Sequence, residues 1–593
     1  MPTEAVRNRT FKEALKGPVR FEIPFFQRGY AWERRQWDQL FVDLQEQILE
    51  EIQIGTPLNQ LEHFFGPIVV LEKSGADPDL KEFTVIDGQQ RITTIYLLLA
   101  IISEHIKAKA HLSSDAHTCV EKLKKYLCND VEGSDDYRKL KVFSCKGDRL
   151  PTYQTVFGLG SNPTTPHLTA DLQLYIPGHN KIEIFRAYAN KKLSANFADI
   201  PSLWQLAEIL LECLKIVWIP LDEAKDDPQA IFESLNDKGM QLSASELLCN
   251  YLFRPIIAAK ENHEDLHNNK WLKTVKLLES DNAFEEYLRN LLSIGENKMV
   301  GKHRKVYVHF KSKHHNLSLV AAKEHLNNIA DSAKLYKTIL NPTANRHRTP
   351  SIGALLIHID NTGMASCRPF LLAVLRAFDA HALTEQEVCS VLNEALTLLV
   401  RRKTTEQSTT KYDVMFPNLL GKIVSEPDKI RALQEAFKNE DVWVSDQEFR
   451  HALENNSMYR SKDLQFSRMV LIELDKKMQV HGQFPDYTTL HTIEHVLPQT
   501  PDDAWKKYLG TDAGDEDLVR LTNSLGNLCL LSGPANSAAG RTPFESKQNG
   551  YSPVCALTRE IKQHTGTWNL LAIKERSARL AGLGLDTWKW SGT

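Results

Sequence analysis

The stretch "KEFTVIDGQQRITTIYLLLAIISEHI", residues 81–106, determines the fold of the N-terminal half of the chain. Its first part has the composition of a β-strand, and its second part is a long apolar helix entered through Thr93 and Thr94. A turn at Asp87 and Gly88 separates the two elements. A strand that leads through a glycine turn into a helix presents free backbone N–H groups and the positive end of the helix dipole, which together favour phosphate binding.

The polar side chains at this turn suit a nucleotide. Arg91 offers a planar fork for phosphate oxygens, and Asp87 suits a ribose hydroxyl or a metal ion carried by the phosphates. Gln89 and Gln90 supply both donors and acceptors. The chain lacks the Walker A lysine motif, so the turn is not a P-loop. The alternative is a tight polar turn that binds nothing.

Upstream, "RFEIPFFQRGYAWERRQWDQLFVDL" at 20–44 predicts a short strand that ends at Pro24. An amphipathic helix follows it, and its apolar residues recur at helical spacing: Trp37, Leu40, Phe41 and Leu44. The segment "QRGYAW" lies between the two elements. Its Tyr30 and Trp32 are either core aromatics beside a surface Arg28 or part of the same site.

A third segment, "DPQAIFESLNDKGMQLSASELLCNYLF" at 227–253, predicts a helix, a turn and a second helix. Gly239 suits the left-handed position after the first helix, and Ser243 with Glu246 forms a capping box for the second. Glu233 and Asn236 lie three residues apart on one face of the first helix, and no structural role explains them.

Together "PFFQRGYAW", "VIDGQQRITT" and "IFESLNDKGMQLSASELL" resemble the DUF262 domain, a ParB/sulfiredoxin-like module of type IV, modification-dependent restriction systems that binds and often hydrolyses nucleoside triphosphates. The D-G-Q-Q-R match is complete, and the resemblance covers roughly residues 10–260. It implies a site for ATP, GTP or CTP. The residues expected to line that site are Gln27, Arg28, Asp87, Gly88, Gln89, Gln90 and Arg91.

Residues 261–414 are mostly helical by pattern, as in "AAKEHLNNIADSAKLYKTIL" and "PFLLAVLRAFDAHALTEQEVCSVLNEALTLLVRR". Two basic stretches stand out, "GKHRKVYVHFKSKHH" at 301–315 and "NRHRTP" at 345–350. The first mixes aromatic with basic residues, which is typical of a DNA-facing strand or loop. The alternative is a solvated charged face.

In the C-terminal part, "TTLHTIEHVLP" at 488–498 predicts a strand that ends with Glu494 and His495. "SLGNLCLLS" at 524–532 predicts a second strand that carries Asn527, and Asn536 follows nine residues later. "TPFESKQNGY" at 542–551 predicts a helix with Thr542 as N-cap, Pro543 as first residue and Glu545 closing the capping box. Each polar residue also has an ordinary interpretation at a turn or a strand end.

This ordered set resembles the DUF1524 nuclease domain, a branch of the HNH superfamily with the ββα-metal (His-Me finger) fold, over roughly residues 415–593. The resemblance implies that His495 is the general base, that Asn527 holds it, and that Lys547 neutralises phosphate charge. It further implies that Glu494 and Asn536 hold one divalent metal ion, Mg²⁺ or Mn²⁺. Many HNH enzymes carry Asp where this chain carries Glu494, which puts the metal preference in doubt.

Composition limits the other possibilities. The 593 residues exceed the roughly 250–300 residues of one hydrophobic core and predict two or three domains. With 72 Lys plus Arg against 75 Asp plus Glu, any DNA-binding surface must be local. Nine cysteines without a C-x-x-C pair favour reduced thiols and argue against a structural zinc site. The apolar run "IYLLLAII" is too short to span a bilayer and no signal peptide is recognisable, so we expect a cytoplasmic location without membrane contact.

The sequence therefore predicts an α+β multidomain chain. A ParB-like nucleotide-binding domain is expected over 1–260, a helical middle domain over 261–414 and an HNH-like nuclease domain over 415–593. This fusion resembles the GmrSD-type restriction enzymes, and its length resembles the compact BrxU-like members.

The resemblance implies a type IV restriction endonuclease that cleaves double-stranded DNA carrying modified cytosines, under control of nucleoside triphosphate binding or hydrolysis. A homodimer is a further expectation. Two other functions stay open at this point: a ParB-like nucleotide switch that clamps or nicks DNA, and an abortive-infection ribonuclease.

Overall fold

The computed structural model describes residues 6–24, 27–73, 79–111, 115–130, 139–159, 161, 180–222, 231, 243–259, 262–479, 484–510 and 516–592. The chain forms two compact units. The N-terminal unit is Met1–His267 with Leu317–Ala322, and the C-terminal unit is Asn268–Asn316 with Lys323–Thr593. The division into three domains at 260 and 414 stays a prediction.

A mixed six-stranded sheet organises the N-terminal unit, with the strand order β1-β6-β3-β4-β2-β5. Strand β3 pairs antiparallel with β4 and parallel with β6, while β2 runs parallel to both β4 and β5. The antiparallel edge strand β1 pairs with β6. The strands are β1 Arg7–Thr10, β2 Val19–Glu22, β3 His63–Glu72, β4 Lys81–Asp87, β5 Val142–Phe143 and β6 Leu214–Leu221.

The helices described up to residue 266 have between four and 20 residues, and the longest follows β4. They are α1 Phe11–Ala14, α2 Arg34–Leu44, α3 Glu50–Gln53, α4 Gln89–Ala108, α5 Asp115–Leu127, α6 Lys146–Phe157, α7 Lys181–Asn196, α8 Ile200–Glu212, α9 Ala244–Ala258 and α10 His263–Leu266. π-helical turns occur at Gln45–Leu49 and His267–Leu272, and a 3₁₀ turn at Leu58–Gln60.

Helix α4 is the centre of the N-terminal core. It contacts β3 and the helices α5 to α8, and its residues from Ile92 to Ile102 are buried on every side. A helix that is apolar all round needs such an enclosed position. The predicted strand, turn and helix over 81–106 are confirmed, although the helix begins at Gln89 and not at Thr93.

Two further predictions for this unit hold in the described residues. Helix α2 buries the four apolar residues predicted at 37, 40, 41 and 44. The capping box at the start of α9 is present, since the Ser243 hydroxyl accepts from the Glu246 N–H and the Glu246 carboxylate accepts from the Ser243 N–H. Glu233, Asn236 and Gly239 lie outside the described residues.

The remaining helices are, in chain order, α11 Lys273–Leu277, α12 Asp281–Ser293, α13 Arg304–Lys313, α14 Leu319–Leu340, α15 Pro350–Asn361, α16 Arg368–Asp379, α17 Glu385–Thr404, α18 Tyr412–Ile423, α19 Lys429–Asn439, α20 Asp446–Asn455, α21 Leu464–Met478, α22 Asp503–Leu509, α23 Glu516–Thr522, α24 Gly533–Ala539, α25 Phe544–Gly550, α26 Ala556–Lys562 and α27 Leu570–Thr587. 3₁₀ turns lie at Ala365–Cys367, Ser461–Asp463 and Leu525–Asn527. Two strands, β7 Thr492–His495 and β8 Leu528–Leu531, pair antiparallel with His495 opposite Leu528.

The helical pattern predicted for residues 321–340 and 369–402 is confirmed. The strand or loop predicted for the basic stretch 301–315 is wrong, because residues 304–313 form helix α13. This helix buries Val306, Tyr307 and Phe310, whose three- and four-residue spacing provides one apolar face. The basic residues of the helix are partly or fully exposed and so lie on its other faces.

The predicted start of helix α25 is wrong by one residue. The N-cap is Pro543 and has no side-chain cap, so the capping box from Thr542 to Glu545 does not form. The Thr542 hydroxyl donates instead to the Ala539 carbonyl at 2.7 Å.

Among the described residues, no helix is both long and apolar enough to cross a membrane.

The C-terminal hairpin is held by helix α27. Arg576 donates to the carbonyls of Gly526 and Leu528 at 2.7 and 3.0 Å, and the Ser577 hydroxyl accepts from the Gly526 N–H at 2.9 Å. The helix lies so close that a Cβ atom on Gly526 would overlap the Ile573 carbonyl. A glycine is therefore required where the chain enters β8.

Gly526→Ala should destabilise the C-terminal unit by about 1–3 kcal/mol, the usual cost of overpacking, because helix α27 must shift to admit the methyl group. Differential scanning calorimetry should show a lower unfolding temperature. The matched control is Gly582→Ala in α27, where a Cβ atom meets nothing within 4 Å and helix propensity favours alanine. Equal unfolding temperatures for the two variants would contradict the close contact.

Candidate functional site

Two glutamines join the first two sequence motifs in the N-terminal unit. The buried Gln27 side chain donates to the carbonyls of Val85 and Ile86 at 3.0 and 3.2 Å, near the end of β4. Gln90 accepts from the Ala31 N–H at 2.7 Å and donates to the Gly29 carbonyl at 3.1 Å. The loop at 27–32 is thus fastened to the turn at 87–90, as the prediction of one shared site requires.

Asp148, which the sequence did not single out, holds the same loop from the other side. Its carboxylate accepts from the Tyr30 N–H and from the Asn180 amide, the latter at 2.8 Å. Burial raises the pKa of Asp148, and these hydrogen bonds oppose the rise. A Cβ atom on Gly29 would lie 2.9 Å from this carboxylate, so a larger residue there would force the Asp148 side chain to shift. No local pattern reveals a partner 118 residues away.

Tyr30 and its neighbours belong to the core and not to the site. The Tyr30 hydroxyl lies 2.7 Å from the Thr94 hydroxyl and accepts from the Trp37 indole at 3.0 Å. Burial raises the pKa of Tyr30 well above its usual value. Trp32 is partly buried and packs against the same core. Arg28 follows Gln27 in the loop and is partly exposed.

Gly88 makes the turn between β4 and α4 possible. Its φ of 90° is in the left-handed region, and a Cβ atom there would lie 2.8 Å from the Pro67 carbonyl. Arg91 reaches back across this turn and donates to the same Pro67 carbonyl at 2.9 Å, with Asp87 3.6 Å away. The Arg91 and Asp87 side chains are each about one quarter exposed, at 28% and 26%.

The turn retains groups that fit a phosphate. Helix α4 begins without a side-chain cap, so the N–H groups of its first turn face no capping side chain. The Gln89 Oε1 atom is buried and accepts no hydrogen bond within the part of the chain that the structure describes. Arg91 uses one of its five N–H donors on Pro67. These three features, with Asp87 beside them, fit an anionic ligand that carries hydroxyl or amino donors.

In the C-terminal unit the five predicted residues lie around the β7–β8 hairpin. Glu494 is buried, and its Oε1 atom accepts from the Lys547 ammonium at 2.7 Å and from the Tyr551 hydroxyl at 2.9 Å. Lys547 also donates to the His495 carbonyl at 2.8 Å. Burial raises the pKa of Glu494, while Lys547 and Tyr551 oppose the rise. Lys547 is itself buried, so its ammonium neutralises Glu494 in this arrangement.

His495 lies at the end of β7 with its ring fixed. Its Nε2 atom is 3.1 Å from Asn523 Oδ1, which also accepts from the Gln499 amide at 3.0 Å. An amide oxygen only accepts, so Nε2 carries the proton and Nδ1 the lone pair. The Tyr459 ring packs edge-on against the imidazole at 4.4 Å. Burial lowers the pKa of His495 to about 4, which keeps the imidazole neutral at physiological pH.

Asn527 contacts the backbone near His495 and not the imidazole ring. Its Oδ1 atom accepts from the Leu497 N–H at 2.8 Å, and its amide donates to the carbonyls of Leu497 and Thr522 at 2.8 and 2.7 Å. It therefore fixes the chain just after His495 and makes no hydrogen bond to the imidazole, a contact made by Asn523. No motif spacing distinguished Asn523, Tyr459, Gln499 or Tyr551, because their role arises only from tertiary contact.

Of the two residues predicted to hold a metal ion, Glu494 belongs to strand β7 and Asn536 contacts it. The Asn536 amide donates to the carbonyl of Ile493, the residue before Glu494, at 3.3 Å. One carboxylate and one amide oxygen suit Mg²⁺ or Mn²⁺. Among the described residues, no group of three His, Cys, Asp or Glu side chains could hold a metal. Lys547 competes with any cation for the charge of Glu494.

Comparison with known families gives two matches in this chain. Residues 9–253 match the family described as GmrSD restriction endonuclease, N-terminal domain. Residues 443–583 match the family described as GmrSD restriction endonucleases, C-terminal domain. None of the curated proteins matches the chain. The two matched segments contain all of the predicted site residues.

Asn523→Asp should raise the pKa of His495 above its value of about 4, because a carboxylate beside Nε2 stabilises the imidazolium. The measurement is an NMR pH titration of histidine-labelled protein, with the His495 signal assigned by its loss in His495→Gln. Asn523→Leu, which removes the acceptor without adding charge, is the control and should not raise the pKa. A wild-type titration curve for Asn523→Asp would show that residue 523 does not contact the His495 ring.

Proposed function

The chain belongs to the GmrSD restriction endonucleases, and we propose that it cleaves double-stranded DNA carrying modified cytosines with His495 as the general base. The observation that carries the proposal is the His495 imidazole, which is neutral, oriented through Asn523 and placed at the end of strand β7. A neutral imidazole with its lone pair on Nδ1 is the form that accepts a proton from water.

The surroundings of His495 explain how so weak a base would act. A pKa of about 4 in the free protein results mainly from burial. The negative charge of a DNA phosphate beside the ring would stabilise the imidazolium and raise this pKa towards the operating pH. Proton transfer from water to Nδ1 would then accompany attack of the water oxygen on phosphorus, while the bond from phosphorus to the 3′ oxygen breaks. The 3′ oxygen would leave and take a proton from solvent, and Asn523 would hold the Nε2 proton throughout.

Glu494 and Asn536 would hold a divalent metal ion in the proposed reaction. When bound, the ion supplies positive charge that stabilises the pentacoordinate transition state at phosphorus and the leaving oxygen. Lys547 keeps the end of β7 in position through Glu494 and the His495 carbonyl. The role predicted for Lys547, neutralising phosphate, would require its ammonium to leave Glu494.

The fold assignments within the two domains are part of this proposal. The order β7, β8, α24, with α24 packed against β7, supports a His-Me finger. The mixed sheet, whose strand β4 leads through a glycine turn into α4, supports a ParB/sulfiredoxin-like module. The proposal also includes a BrxU-like subtype and a homodimer. It divides the chain into three domains, with boundaries at 260 and 414.

His495→Ala should reduce cleavage of modified plasmid DNA by about a hundredfold or more, because the general base is lost. EDTA should stop cleavage by the wild type. The matched control is His491→Ala, an exposed histidine four residues upstream, which should cleave at the wild-type rate. The measurement is the initial rate of plasmid linearisation under saturating Mg²⁺.

Cleavage by His495→Ala at the wild-type rate would contradict the assignment of the base. Circular dichroism of both variants separates loss of chemistry from loss of folding.

For the N-terminal unit we propose a nucleoside triphosphate site at the start of α4. The first-turn N–H groups and the Arg91 guanidinium would hold the phosphates, with Gln89 Oε1 accepting from a ribose hydroxyl or a base amine. Binding or hydrolysis would regulate cleavage if the nucleotide binds the cleavage-competent state more tightly than the resting state.

Arg91→Ala should weaken nucleoside triphosphate binding and reduce cleavage of modified DNA, although Arg91 lies 404 residues before His495 in the sequence. Calorimetry measures the affinity, and cleavage of one modified plasmid with and without nucleotide measures the coupling. Arg35→Ala, an exposed arginine on α2, is the control. If Arg91→Ala binds no nucleotide yet cleaves like the wild type under both conditions, the two sites are not coupled.

A further inference from the structure

An open cleft of about 420 Å³ lies in the C-terminal unit beside the candidate base. Residues 459–463, Gln499 and Asn523 line it. The 3₁₀ turn Ser461–Asp463, which leads into helix α21, provides part of this lining. The cleft is therefore built from secondary structure that the core of the unit holds in place.

Two residues of the cleft lining contact His495. Asn523 accepts the hydrogen bond from His495 Nε2, and the Tyr459 ring packs against the same imidazole. The Asn523 backbone carbonyl also accepts from the Tyr459 N–H at 3.1 Å. A DNA strand repeats its negative charge along the chain, so a strand with one phosphate at His495 brings neighbouring phosphates to this cleft.

The charges in the cleft are paired except at one position. Arg460 pairs with Glu406, and Asp463 pairs with Lys403 at 2.6 Å. Lys462 is exposed, and its ammonium has no carboxylate partner among the residues that the structure describes. One positive charge therefore remains at the cleft, on a flexible side chain that can follow a ligand.

We propose that this cleft binds the DNA backbone phosphate that neighbours the scissile phosphate, and that Lys462 supplies the positive charge. The inference rests on the proposed nuclease function. The Ser461 hydroxyl, and the amide N–H of Gln499 that is not used on Asn523, would supply neutral donors to the phosphate oxygens. Lys462 would thus provide the accessible phosphate contact that Lys547, buried against Glu494, does not provide.

The test is the salt dependence of DNA binding by the full chain, measured in EDTA so that no cleavage occurs. Lys462→Gln should reduce the slope of log Kobs against log[salt] by about one, because one phosphate contact is lost. Modified and plain duplexes should be affected alike, since a phosphate contact carries no base information. In cleavage assays KM should rise while kcat stays unchanged.

Two variants provide the matched controls. Lys589→Gln removes one exposed positive charge elsewhere in the C-terminal unit and should keep the wild-type slope. Lys462→Arg keeps the charge and should restore the slope that Lys462→Gln loses. These controls separate a phosphate contact at the cleft from a change in overall charge.

A wild-type slope and KM for Lys462→Gln, in a protein whose cleavage depends on His495, would overturn this inference and leave the proposed function intact. The same loss of slope in Lys589→Gln would also overturn it, because the effect would then be general. A wild-type chain that neither binds nor cleaves DNA would overturn the proposed function itself, and the cleft assignment with it.

Discussion

The buried ion pair between Glu494 and Lys547 is the constraint on which the C-terminal site depends. A carboxylate enclosed in protein is costly unless a cation and further donors accompany it, and here Lys547 and Tyr551 both meet one oxygen. Lys547 extends the same contact to the His495 carbonyl, so one ammonium fixes two consecutive residues of β7.

Local sequence predicted the elements whose formation depends on nearby residues. The strand, glycine turn and helix at 81–106 follow from hydrophobic pattern and from the conformation that only Gly88 adopts easily. The contacts made by Asn523 and Asp148 were not predictable, since each joins segments that are distant in sequence. The capping box predicted at Thr542 assumed that Pro543 is the first helical residue. The helix starts one residue later, with Pro543 as its N-cap, so the box does not form.

The polar side chains around the turn at 87–91 differ in whether the protein already uses their hydrogen-bonding groups. Gln27 and Gln90 have similar chemistry to Gln89, but their amides are used on the backbone of the loop and of β4. Gln89 and Arg91 retain unused acceptor and donor groups. Similar side chains within one motif can therefore differ in whether the fold already uses them.

The chain belongs to the GmrSD restriction endonucleases, and the proposed function is cleavage of DNA that carries modified bases. The most direct measurement is incubation of the purified wild type with Mg²⁺ and matched plain, methylated, hydroxymethylated and glucosylated plasmids, together with total RNA. At least one modified plasmid should be cleaved, with plain plasmid and RNA left intact. Degradation of RNA, or equal cutting of plain and modified DNA, would contradict it.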